Sequence, residues 1–181
     1  MTIRWLVNAG TGILMVLMLA RPSSAQPAEL GKGWLPEFEL AARQLTQLAE
    51  ATPAEKFSWR PAPGIRSIGE VYMHIALGNY FLLGQAGVKV PVDLSKLPKD
   101  PEKSITGKAE VIKFLTTSFD AVRASYPTAD RQKKVKFFGQ EVAAEGVLLR
   151  LLVHNHEHMG QAIAYARMNG IVPPWSAGGG Q

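Results

Sequence analysis

The sequence predicts an all-α fold, a single four-helix bundle. Four segments carry apolar residues at three- and four-residue spacing, the period of a helix with one buried face. Connectors rich in proline and glycine separate them, and no succession of alternating strands runs through the 181 residues. A chain of this length can bury one core without staples, and it shows no internal repeat.

The first 25 residues stand apart. Arg4 precedes an apolar run from Leu6 to Ala20, and "RPSSA" follows with small residues at Ser23 and Ala25. This is the pattern of a secretory signal peptide cleaved after Ala25, and the run is shorter than the roughly 20 residues that span a bilayer. The expected location is therefore the periplasm or outside the cell. The bundle is expected over residues 29–175, with 176–181 a flexible tail.

The first helix lies in "FELAARQLTQLAEA", where Leu40, Ala41, Leu45 and Leu48 mark one face. "TPAEKFSWRPAPGIR" ends it with three prolines and a glycine. Ser67 and Glu70 form an S-x-x-E capping box that starts the second helix, which runs on through "VYMHIALGNYFLLGQAG". A long loop, "VKVPVDLSKLPKDPEKSI", leads to a third helix at about 106–125, with Val111, Leu115, Phe119 and Val122 on its apolar face. "KVKFFGQEVAA" holds at most one short extended piece. The last helix covers about 142–169, closed by Gly170 and by Pro173 and Pro174.

Composition excludes several chemistries. There is no cysteine, hence no disulfide, thiolate nucleophile or cysteine-based metal site. The formal charge of +5 overstates basicity, because Arg4 and Arg21 lie in the signal segment; without them 18 basic residues face 15 acidic ones. "RQKKVK" is the one basic run, and no interleaved basic and aromatic pattern supports nucleic-acid binding.

The histidines carry the chemistry. Three of the four fall in "HNHEH", residues 154–158. Residues four apart on a helix sit about 40° from each other, so His154 and His158 share a face, while His156 lies about 200° round from His154. Catalytic zinc usually takes three protein ligands and keeps a further position open. His74 is the third candidate, because an imidazole in the apolar run between Met73 and Ile75 needs a partner or a metal. Ligands from facing helices meet in a bundle core, so His74, His154 and His158 would form a three-histidine site with open positions. A metalloprotease signature H-E-x-x-H is absent, since Gly160 stands where the second histidine would be. Glu157 and Glu70 are the candidates for a general base, with Tyr165 behind them. Glu70 and Gln161 are also placed to orient imidazoles, or to serve only as a cap and a surface amide.

These segments resemble the DinB-like superfamily of four-helix proteins. The resemblance rests on Trp59 in "FSWRPAPG", His74 in "SIGEVYMH", and His154, His158, Gly160, Gln161, Tyr165, Arg167, Gly170, Pro173 and Pro174 in the last segment. It implies an up-down-down-up bundle, a divalent ion (zinc, nickel or iron) on the three histidines, and often a homodimer. Better-understood members are transferases and isomerases that activate a low-molecular-weight thiol; many others have no established activity. Two departures count against the thiol reading and leave the metal reading intact. "EHMGQ" stands for the family's frequent "HHRGQ", removing a cation, and a signal peptide places the chain where such thiols are scarce. The expected function is thus a metal-dependent enzyme of hydrolase or thiol-transferase type acting on a small molecule. A non-catalytic metal-binding protein and a metal-free interaction module are the alternatives.

Overall fold

The computed structural model describes residues 30–177; the expected signal peptide and residues 178–181 lie outside them. Four long helices pack around one core: α1 (Trp34–Ala51), α2 (Ile68–Gln85), α4 (Lys108–Ser125) and α5 (Ala144–Met168). A single-turn helix, α3 (Pro101–Ser104), precedes α4, and a hairpin of β1 (Lys134–Phe137) and β2 (Gln140–Ala143) precedes α5. None of the described helices is long and apolar enough to cross a membrane.

The buried faces follow the sequence periods. On α1, Phe38, Ala41, Ala42, Leu45, Leu48 and Ala49 are buried, and on α4 Val111, Leu115, Phe119 and Val122. α2 is buried nearly all round, because both α4 and α5 pack against it; α1 likewise packs against both.

Paired contacts give the helix directions. Arg123 of α4 bonds Glu39 of α1, while Lys108 bonds the Glu50 carbonyl, so these two helices are antiparallel. Asn79 meets Asn155 and His74 meets His158, so α2 and α5 are antiparallel too. The Trp34 indole donates to the Leu148 carbonyl at 3.1 Å and His156 reaches the Glu37 carbonyl, so α1 and α5 run together. The arrangement is up-down-down-up. Because α2 and α4 point the same way, the chain must travel back along a helix of 18 residues, about 27 Å at 1.5 Å per residue, between them. That return is why residues 86–107 form a long connection.

Three elements differ from the sequence reading. α1 starts one turn early, at Trp34, because Trp34 stacks on Tyr126 and Phe38 and so packs against the core. The long loop contains α3, begun by Asp100 with Pro101 in its first turn. "KVKFFGQEVAA" forms two strands, not one, since Phe138-Gly139 turns the chain back and pairs Phe137 with Gln140. The ends of α2 and α5 match the predicted signals. Ser67 and Glu70 bond each other reciprocally, and Gly170 (φ 72) closes α5 with Ile171 N–H donating to the Ala166 carbonyl.

Phe138 and Gly139 both have positive φ, 47° and 81°, the two-residue turn that matches strand twist and favours Asn-Gly. Phe138 is 80% exposed in this left-handed conformation, so its side chain gains little and strains the backbone. Phe138→Asn is expected to stabilise the protein by about 1 kcal/mol. A chemical-denaturation midpoint equal to or below that of the parent chain would contradict the assigned turn.

Candidate metal centre

On α5 the buried stripe Val147, Leu148, Leu151 continues at His154 and resumes at Ala162, Tyr165 and Ala166. The helix period therefore aims His154 inward at a position otherwise given to leucine. His158, one turn on, is half-buried, as is His74 on α2. Beneath the histidines a buried polar set crosses three helices: Asn155 donates to Asn79 at 2.7 Å and Asn79 to Ser118 at 3.0 Å. Such bonds are lost if one helix slides by a residue, so they fix the register that brings His74 and His154 level.

Gly78, one turn after His74, makes the space. A Cβ there would lie within 3.0 Å of both His154 ring nitrogens. A glycine inside a helix costs about 1 kcal/mol relative to alanine, yet at this position only glycine admits the imidazole between α2 and α5.

One ring nitrogen from each of His74, His154 and His158 can be chosen so that all three lie within 4.8 Å of one another. His74 Nε2 and His154 Nε2 are 3.2 Å apart, close to the roughly 3.3 Å that separates two nitrogens bound tetrahedrally to one zinc ion at its usual Zn–N distance. The three ring centroids are 4.6 to 5.0 Å apart. Hydrogen bonds select the tautomers of two rings. His74 Nδ1–H donates to Glu102 Oε1 at 2.7 Å, since a carboxylate only accepts, and this leaves the Nε2 lone pair facing the cluster. His158 Nδ1–H donates to the Gln161 carbonyl oxygen at 2.8 Å, and the Gln161 amide donates to the Tyr165 hydroxyl at 2.9 Å. His154 Nδ1 is buried with no partner.

Electrostatics favours the neutral form of His154 and His158. Burial, then the neighbouring His158 and His74, push the His154 imidazole down to about 4. Burial also lowers His158. Three imidazoles that bring one ring nitrogen each within 4.8 Å of the others form a ligand set for a borderline divalent cation, and a divalent ion fits it.

The other candidates are placed elsewhere. His156 faces α1, bonded to the Glu37 carbonyl at 3.1 Å. Glu157 is half-exposed and bonds Arg150 at 2.7 Å, which holds its carboxyl below the ordinary range. Glu70 is consumed by the α2 cap and by Arg60 at 2.8 Å; burial opposes its ionisation, but these bonds outweigh it and the carboxyl stays low. Neither carboxylate hydrogen-bonds a histidine of the cluster. The carboxylate that does is Glu102 on α3, which sequence reading left inside a loop. The signal for it was the Asp100-Pro101 helix start that places Glu102 in the first turn.

Two outcomes follow from this geometry. Gly78→Ala, which in an open helix would stabilise, is expected to destabilise by about 1–3 kcal/mol by driving a methyl into His154; denaturant unfolding decides, and a stabilised variant would refute the packing. Protonation of His154 acts on stability below neutrality. Its folded pKa lies below the unfolded value near 6.5, so the unfolded chain binds more protons between about 6.5 and 4. The metal-free protein should lose stability as pH falls through that window, and His154→Leu should flatten the dependence. An unchanged pH profile in the variant would contradict a buried neutral His154.

Comparison with known proteins places this geometry in a family. Residues 37–162 match the model of the DinB superfamily. No curated protein sequence matches the chain. Among solved structures, a DinB-like protein from Bacillus cereus ATCC 10987 is similar at a TM-score of 0.61 and 23% identity, covering 79% of this chain and 95% of that one. A DinB-like protein (YjoA) from Bacillus subtilis gives a TM-score of 0.52 at 18% identity, covering 75% of this chain and 90% of its own. At these identities the likeness establishes the shared fold, and the family model spans the helices that carry all three histidines: the chain belongs to the DinB superfamily.

Proposed function

We propose that His74, His154 and His158 bind one divalent cation, zinc, nickel or iron, and that the protein is a metal-dependent enzyme of the hydrolase or thiol-dependent transferase type. The observation that carries the reading is the convergence of three imidazoles with two tautomers already set by hydrogen bonds. Such an ion, when bound, lowers the pKa of a coordinated water or thiol and polarises a carbonyl. The protein's own residues supply the rest. His154 closes the buried side of the site, while the half-buried His74 and His158 border solvent, from which a small substrate would enter. Gln161 and Tyr165 extend a hydrogen-bonded chain from His158 that can hold or pass a proton. Glu157 and Glu70, each held by an arginine, would serve as base only after leaving those pairs.

A second reading has its own support. The three ligands come from two antiparallel helices, so a cation would also staple α2 to α5 without catalysis. Export to the periplasm or beyond, and pairing into a homodimer, belong to the proposal as well; the first rests on the N-terminal segment alone.

The test is metal analysis of protein isolated from its own compartment, because cytosolic overexpression can load the wrong ion. The parent chain is expected to carry a stoichiometric divalent ion that a His154→Ala/His158→Ala variant lacks. Equal metal content in the two would overturn the site. Displacement of coordinated water by a small thiol would then favour the enzyme over the staple, and an inert, saturated ion the reverse.

A further inference from the structure

We infer that Glu102 and Arg66 are positioning residues for the metal centre, and that they make the α2–α4 connection a working part of it. The inference rests on the three-histidine reading above. Glu102 sits on α3, the single-turn helix within the connection, and its carboxylate reaches back both to α2 and to the residue before its cap. Oε1 accepts from His74 Nδ1 at 2.7 Å, and Oε2 accepts from Arg66 Nε at 2.7 Å. Arg66 Nη2 adds a longer bond to Oε1 at 3.4 Å. Arg66 immediately precedes Ser67, which caps α2. The residue just before the cap of that helix, the connection and His74 therefore share one chain of hydrogen bonds.

Three consequences follow for the ligand. A carboxylate can only accept, so His74 must carry its proton on Nδ1, and Nε2 is left as a donor to a cation. The bond also stops the ring rotating about its side chain, which presents Nε2 towards His154 Nε2, 3.2 Å away. Negative charge behind the ring also favours a cation held in front of it. Arg66 does for Glu102 what Glu102 does for His74: with its other oxygen engaged by the guanidinium, the carboxylate is held on two sides. His158 is oriented differently, by the neutral amide of Gln161, and His154 Nδ1 has no partner. His74 is thus the one ligand of the three whose rear nitrogen meets a charge.

An ordinary structural ion pair between α3 and α2 would look alike in the contacts, so the test needs readouts that such a pair would not move. In metal-free protein, nitrogen NMR of the His74 ring reports the tautomer. The parent chain and Glu102→Gln, whose amide oxygen still accepts, are expected to show the Nδ1–H form, and Glu102→Ala to lose it. Cobalt(II) titration, followed by its absorbance, reads the consequence. Affinity should fall about 10- to 100-fold in Glu102→Ala, less in Glu102→Gln, and detectably in Arg66→Gln. Unchanged tautomer and affinity in Glu102→Ala would overturn the inference while leaving the metal site standing. The expected tautomers without cobalt binding in the parent chain would instead overturn the metal reading itself. Should Glu102→Ala fail to fold, Glu102→Gln and Arg66→Gln decide between the same outcomes, because parental cobalt affinity in both would overturn the inference.

Discussion

The insertion of the His154 imidazole between α2 and α5, against the bare backbone of Gly78, is the constraint on which the site depends. An imidazole 8% exposed in a helix-packed core is held neutral by its surroundings, and its Nδ1 has no partner. It is tolerated because Gly78 leaves the space and because the helices are locked in register by the buried Asn155–Asn79–Ser118 bonds. Once α2 and α5 are held antiparallel at this height, His158 and His74 arrive on either side of His154 as a matter of helix geometry.

The up-down-down-up order has a chemical consequence as well as a topological one. Two parallel helices, α2 and α4, oblige the chain to return the length of the bundle, and that return passes the end of α2 where His74 lies. A connection that topology requires is therefore available to place a carboxylate behind a histidine of the cluster. Glu102 uses it. The hairpin before α5 is a smaller case: Ala144 N–H and Glu145 N–H bond the Lys133 and Arg131 carbonyls just ahead of β1, which fixes where the histidine-bearing helix begins.

Much of this was legible in the residues. Four helices, the Ser67–Glu70 cap and the Gly170 stop each depend on local chemistry, which is why they read directly. The pairing of His154 with His158, apart from His156, needed only the helical period. Other features were hidden because they depend on contacts distant in sequence. Trp34 fell outside the expected first helix, because its stacking partner Tyr126 is distant in sequence. Glu102 lies 28 residues from His74, in a stretch whose polar composition reads as loop. Gly78 gives no local signal of its role, because nothing near it in sequence says that an imidazole from 76 positions on needs its place. Glu70, chosen for its spacing from His74, has its oxygens engaged by the cap and Arg60 instead, while Gln161, chosen the same way, does bond His158. Spacing along a helix names neighbours; it does not say which of two competing partners a side chain takes.

The central claim is that three imidazoles, from His74, His154 and His158, hold one cation. X-ray absorption at the metal edge of protein isolated with its native ion tests it most directly, because imidazole rings give a distinctive multiple-scattering pattern. The account predicts three histidine nitrogens at about 2.0–2.1 Å for zinc, with lighter oxygen or nitrogen atoms completing the shell. A shell with one histidine or none would contradict it.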